Sequence, residues 1–226
     1  MNSLSEYGII WDVDGTLVDT GELHFLAWVR LFQERGQPFT REDFARTFGR
    51  RNREILREMF HPEMSDAECD AIADLKESYY LDSARAQGLS LLPGVRSLLE
   101  QFHQAGFAQA IGSSAPRKNL DAIFELTDTT NFFRFITASE NVSRGKPDPE
   151  VFQVAAAGLG LPPHRCVVFE DAVAGVQAAK AAGMACIAVR FVAHHPHETL
   201  QAAGADRIVE TLEAVNLDSV RSLLAG

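Results

Sequence analysis

Apolar and polar positions fall into two regimes along this chain. Five short runs are apolar almost throughout: Tyr7 to Val13, Phe107 to Gly112, Phe135 to Ala138, Cys166 to Glu170 and Ala185 to Val189. Runs of this kind mark strands buried on both faces. Between them apolar residues recur at helical spacing, over Gly94 to Ala105, Pro116 to Leu126, Pro149 to Ala157 and Ala172 to Ala182. Prolines open two of these segments, where the fixed φ suits a first turn. Gly106 and Gly183 follow two others as C-cap signals. Strands alternating with helices predict βαβ units and a parallel sheet.

Residues 20–89 break this rhythm. They contain no convincing strand and four amphipathic segments: Leu23 to Arg35, Arg41 to Phe48, Asn52 to Phe60 and Ser65 to Ala86. The pattern predicts an all-helical insertion after the first strand, with alternation resuming from Leu92. No internal repeat, low-complexity tract or flexible linker interrupts the chain.

Composition agrees. At roughly 150 residues per domain, 226 residues suit one large core with a smaller module. The 46% hydrophobic and 23% charged content is ordinary for a globular protein and excludes disorder. No apolar run reaches the length of about 18 residues that a membrane span needs. The start, MNSLSEYGII, has no basic region before an apolar stretch, so no signal peptide is expected. Lys plus Arg number 21 against 31 Asp plus Glu, a net charge of −10. That disfavours nucleic acid as a partner. It also requires a local positive site for any anionic substrate. Cys69, Cys166 and Cys186 are odd in number, far apart and form no C-x-x-C; Cys166 and Cys186 sit in apolar, strand-like runs and read as buried reduced thiols, which fits a reducing cytoplasm.

The chemistry concentrates at strand ends. Asp12 and Asp14 follow the first strand; in extended chain, residues two apart point the same way. Open α/β sheets bind ligands at that edge. Asp-Gly also marks a plain turn, but a turn does not account for Asp12. Glu170 and Asp171 end a second strand. A helix cap explains one of these acids, not both, and Gly175 hints at a tight helix-to-sheet approach. Four carboxylates at one edge repel one another unless a hard divalent cation, Mg²⁺ above all, neutralises them. Ser113 and Ser114 lie between a strand and a helix, where hydroxyls and free N–H groups suit phosphate; a Ser N-cap is the bland alternative. Lys146 stands in Gly145-Lys146-Pro147-Asp148-Pro149, where a solvated surface lysine is the alternative.

Together these residues resemble the haloacid dehalogenase superfamily. Asp12 to Thr20 matches D-x-D-G-T-L-x-D-T, Ser113 the second motif, Lys146 to Pro149 K-P-x-P, and Glu170 to Gly175 E-D-x-x-x-G. Four motifs in order make a specific signal covering nearly the whole chain. The resemblance implies a Rossmann-like three-layer α/β core, residues 1–19 and 90–226, with an inserted helical cap at 20–89. It implies Asp12 as nucleophile forming an aspartyl-phosphate, and Asp14 as general acid and then base. It implies Mg²⁺ on Asp12, the Asp14 backbone carbonyl, Glu170 and Asp171, one acid able to act through water. Ser113, Ser114 and Lys146 would bind the phosphoryl group, and Thr16 would hold the Asp14 side chain or its loop.

Within the superfamily the chain looks like the beta-phosphoglucomutases and phosphoglycolate phosphatases. Dehalogenases typically lack the second aspartate. No lysine occurs between Met1 and Ile72 to form a Schiff base early in the cap. His24 matches the mutases' hinge histidine, thought to couple cap closure to the acid–base aspartate, and Lys76 matches a cap lysine; similar residues are common in related phosphatases. The loop Thr47 to Arg53 departs from the mutase pattern, with Phe48 where a lysine precedes Gly49. A mutase needs a second phosphate site, which Arg50 or Arg53 could supply. The expectation is a Mg²⁺-dependent phosphatase acting on a small phosphate monoester, a sugar phosphate best of all. The alternatives are a sugar phosphomutase and a non-catalytic phosphometabolite-binding protein. Oligomeric state is not readable. The stretch His194-His195-Pro196-His197 fits no metal spacing and reads as an exposed loop.

Overall fold

The computed structural model describes residues 6–192 and 195–224. Its centre is a six-stranded, all-parallel sheet: β1 (Gly8–Trp11), β2 (Ala108–Gly112), β3 (Phe135–Thr137), β4 (Cys166–Glu170), β5 (Ala185–Val189) and β6 (Arg207–Val209). Their order across the sheet is β3-β2-β1-β4-β5-β6. The five predicted strands are all present. β6 has no counterpart in the sequence reading; it is a short edge strand, exposed at Arg207 and half-buried at Ile208.

Strand residues alternate between two cores. Ile9, Trp11, Ile111, Val167, Phe169 and Ile187 pack with helices α5 (Val95–Ala105), α6 (Arg117–Thr127) and α10 (Leu217–Leu224). Ile10, Ala110, Cys166, Val168, Cys186 and Ala188 pack with α7 (Glu150–Leu159), α8 (Val173–Ala181) and α9 (His197–Ala202) on the other face. Both faces are therefore apolar and covered, as a parallel sheet requires. Trp11 stacks on Phe169 with ring centroids 4.3 Å apart, and its Nε1–H donates to Gln109 Oε1 at 3.0 Å. The three cysteines are buried and free.

Between β1 and β2, residues 21–87 form α1 (Gly21–Gln33), α2 (Arg41–Thr47), α3 (Asn52–Met59) and α4 (Asp66–Gln87). These helices have apolar clusters of their own, around Trp28, Phe32, Phe39 and Phe44 and around Leu23, Ala27 and Tyr80. Thr40 and Ser65 close capping boxes with Asp43 and Glu68. No helix among the described residues is long and apolar enough to cross a membrane. His194 lies outside the described residues, and His197 begins α9 rather than continuing a loop.

Candidate active site

β1 is flanked by β2 and β4, so connections leave it in both directions across the sheet and a crevice opens at its carboxyl end. Asp12 continues the strand by one residue, its N–H donating to Phe169 O at 2.9 Å. The chain then turns sharply at Gly15, whose φ of +87° favours glycine. A Cβ at Gly15 would also collide with the Asp171 carboxylate. The turn residue and the fourth-strand acid thus define one another.

Lys146 lies inside this crevice, only 3% exposed, which rules out the solvated-lysine alternative. Its Nζ donates to Asp12 Oδ1 at 2.6 Å and to Glu170 Oε1 at 2.7 Å. Glu170 Oε2 accepts the backbone N–H groups of Asp171 and Ala172 at 2.7 and 2.6 Å. The N-cap of α8 is Ala172, so Asp171 is not there to cap a helix. Asp171 Oδ2 is buried without a hydrogen-bond partner. Gly175 leaves the space that Glu170 fills, since a Cβ there would overlap the carboxylate.

Carboxylate oxygens of Asp12, Glu170 and Asp171 lie within 4.8 Å of one another. Burial pushes Asp12 up to about 8, with Lys146 opposing and Glu170 and Asp14 reinforcing the shift. Burial, then the Glu170 and Asp12 charges, holds Asp171 well above its ordinary value. Burial alone would lower the Lys146 pKa, but its two carboxylate partners outweigh that and raise it. Ionising all three acids against one ammonium would leave two negative charges uncompensated where water is excluded; burial and this excess together hold the Asp12 and Asp171 values up. A hard divalent cation fits both the charge and the all-oxygen donor set. Asp171 offers the open oxygen, whereas both Glu170 oxygens already hold Lys146 and the loop.

Asp14 has different surroundings. Thr20 Oγ1 donates a short hydrogen bond to Asp14 Oδ1, and His24 Nε2 lies 3.3 Å from the same oxygen. Thr20, not Thr16, therefore holds this side chain; Thr16 Oγ1 is buried with no hydrogen-bond partner. Burial would raise the Asp14 pKa, but the hydrogen bonds from His24 and Thr20, with the Lys76 charge adding, win and lower it. The His24 ring stacks on Tyr80 at 4.0 Å between centroids. Lys76 Nζ approaches His24 Nδ1 at 2.7 Å and Glu77 Oε1 at 2.9 Å.

Ser113 is buried at the end of β2, its Oγ accepting the Ala115 N–H at 3.0 Å. The N-cap of α6 is Pro116, so neither Ser113 nor Ser114 caps that helix. Ser114 is half-buried and lines a pocket with Asp14, His24, Trp28, Phe48 and Arg50. The loop carrying Gly49 reaches the site: a Cβ on Gly49 would lie 3.5 Å from Ala172 Cβ. Arg50 also lines the pocket but pairs with Glu58 at 2.6 Å. Arg53 grips both oxygens of Asp70 at 2.6 Å and reaches Asp66 at 2.9 Å, which turns it toward α4.

Sequence reasoning passed over Glu77, Asn52, Asn119 and Tyr80, and did not assign Thr20. Asn52 Nδ2 donates to Glu77 Oε1 and Asn119 Nδ2 to Glu77 Oε2, each at 2.6 Å. The one available signal was the adjacency of Lys76 and Glu77 on a long helix, a pairing equally common on solvated faces.

A family model described as haloacid dehalogenase-like hydrolase matches residues 9–189. The chain is 30% identical to a phosphorylated carbohydrates phosphatase of Thermotoga maritima, over 92% of this chain and 96% of that protein. It is 32% identical to the beta-phosphoglucomutase of Bacillus subtilis, over 80% of this chain and 82% of that protein. Among solved structures it resembles CbbY from Rhodobacter sphaeroides in complex with phosphate. The TM-score is 0.84 at 28% identity, covering 95% of this chain and 99% of that one.

Proposed function

The chain belongs to the haloacid dehalogenase-like hydrolases, and from that premise we propose that it is a Mg²⁺-dependent phosphatase of small sugar phosphates. Residues 20–89 act as a cap over the carboxyl edge of the sheet. The reading rests above all on the contrast between two carboxylates two residues apart. Asp12 faces Lys146, Glu170 and Asp171, whereas Asp14 is drawn aside by Thr20 and His24.

Asp12 attacks phosphorus, and the bond to the leaving alcohol breaks. Asp14 gives its proton to the departing oxygen. Water then attacks the aspartyl-phosphate while Asp14 takes a proton from it, which frees inorganic phosphate and restores Asp12. Asp14 is held as the anion before substrate arrives, so it is set as a base; the incoming phosphate dianion raises its proton affinity for the acid step. Lys146 and Ser113 offset charge on the phosphoryl oxygens. Asp12, the Asp14 carbonyl and Asp171, with Glu170 behind, would hold Mg²⁺, which would supply charge neutralisation and Lewis-acid polarisation of the phosphoryl group.

The cap arginines favour hydrolysis over mutase chemistry. A mutase turns a bisphosphate around, and the far phosphate needs a cation. Arg50 and Arg53 are each engaged by carboxylates, and Phe48 presents an apolar side chain. The pocket therefore suits a neutral, hydroxylated leaving group. With Mg²⁺, p-nitrophenyl phosphate should be hydrolysed, and Asp12→Asn or chelation should abolish release. Full activity in Asp12→Asn overturns the nucleophile. Isomerised sugar phosphate in excess of released phosphate, dependent on a bisphosphate primer, overturns hydrolysis in favour of the mutase.

A further inference from the structure

Glu77 takes no part in the steps above, yet it is 1% exposed and both its oxygens are occupied. The donors come from three helices. Asn52 on α3 and Lys76 on α4 reach Oε1 at 2.6 and 2.9 Å, and Asn119 on α6 reaches Oε2 at 2.6 Å. Of these, only Asn119 belongs to the part of the chain that packs on the sheet. Lys118 alongside pairs with Asp74 of α4 at 2.6 Å, but on an exposed surface where screening leaves little.

On the other side, Glu77 anchors the Lys76 ammonium. That group carries donors only, so His24 Nδ1 must accept from it at 2.7 Å. A histidine that accepts at Nδ1 carries its proton at Nε2, and this N–H points at Asp14 Oδ1. The stacked Tyr80 ring holds the imidazole plane. A continuous polar path thus runs from α6 through Asn119, Glu77, Lys76 and His24 to Asp14.

We propose that Glu77 is a positioning residue that ties the seating of helices α1–α4 on α6 to the aim of Asp14, with Asn119 as the sensor and Lys76–His24 as the arm. When the helices lift away, Glu77 Oε2 loses its only partner from α6 and the carboxylate turns toward water. Lys76 loses its anchor, and the His24 tautomer is no longer dictated. Asp14 is then aimed only when the helices shut water out. The kinetic consequence rests on the phosphatase reading; the effect on His24 does not.

Asn119→Asp sets a second carboxylate against Glu77. The turnover number on p-nitrophenyl phosphate should fall roughly 10- to 100-fold, as for other groups that orient a reacting residue, with a much smaller change in KM. Adding Glu77→Gln to that chain rebuilds the link with donor and acceptor exchanged. The new amide N–H donates to the new carboxylate while its oxygen still accepts from Lys76 and Asn52. Turnover should recover about tenfold. Asn119→Ala removes the bond without adding charge and serves if Asn119→Asp does not fold. Nitrogen-15 NMR of His24 gives an arm independent of activity. The native chain should show protonated Nε2 and bare Nδ1, Asn119→Asp a tautomer mixture, and the double variant the native form. A native spectrum with protonated Nδ1, or a double variant no better than Asn119→Asp, overturns the proposal. The expected spectra without turnover in any chain support the coupling and overturn the phosphatase reading.

Discussion

The lone hydrogen on Gly175 keeps Glu170 in place, and Glu170 keeps Lys146 in place. Gly175→Ala should leave the sheet intact but push the carboxylate aside. The Mg²⁺ concentration for half-maximal activity is expected to rise roughly tenfold or more, read from a Mg²⁺ titration. Glu77 gives a prediction of another kind. Burial would raise its pKa, but the Lys76 charge, with the Asn119 and Asn52 hydrogen bonds, outweighs it, and the carboxyl falls from 4.5 to about 2. Because the folded value is depressed, this stabilisation is complete above the unfolded value and is lost as pH falls from about 4.5 toward 2. The linkage amounts to roughly 3 kcal/mol, and Glu77→Gln should flatten that limb of a stability–pH curve measured by urea unfolding. At this scale the sequence revealed residues whose chemistry is local. Asp12, Asp14, Glu170 and Asp171 stand at strand ends and Lys146 in a proline-flanked loop, all within short contiguous motifs. Glu77 meets Asn119 across 42 positions, and a carboxylate or amide on a helix looks the same in sequence whether solvated or buried. Assigning the Asp14 contact to Thr16 rather than Thr20 failed because the turn at Gly15 decides which hydroxyl returns.

Among elements, the long helix α4 depends on its first turn. Ser65 Oγ accepts the Glu68 N–H while the Glu68 carboxylate accepts the Ser65 N–H. Ser65→Ala should cost about 1 kcal/mol, measured as a shift in urea midpoint with unchanged m-value. Buried strands and long helices were legible because period and hydrophobicity agree in them. β6 was not, since three residues at a sheet edge, one exposed, one half-buried and one buried, show neither an apolar run nor a resolved alternation. Helix starts moved by a residue or two where caps override pattern: α5 begins at Val95 because Gly94, at φ +87°, lies against the Leu212–Glu213 backbone.

Across the whole molecule, the net charge of −10 works against an anionic substrate, and on the proposed function Lys146 with a cation at the Asp12–Asp171 cluster would have to reverse it locally. Access then depends on how α3 meets the loop that carries Lys146. Arg51 Nη1 donates to Ser143 O at 2.9 Å, and Gly145 lies so close that a Cβ would stand 2.5 Å from Glu54 Oε1 and 2.8 Å from Arg51 Cδ. Gly145→Val should push the Glu54 and Arg51 side chains aside and break the Arg51–Ser143 hydrogen bond. The ratio kcat/KM is expected to fall by up to about a hundredfold, while thermal unfolding of the chain moves little.

The two tryptophans divide between the two parts of the chain. Trp11 is sealed within the sheet against Phe169, and Trp28 lies among the helices with Lys76 Nζ 5.1 Å from its ring. Each part of the chain therefore holds one buried indole. Trp11→Phe leaves Trp28 as the single fluorophore, reporting from beside the ammonium that touches His24. The protein thus carries an intrinsic optical gauge of its own helical segment, readable in solution without any attached dye.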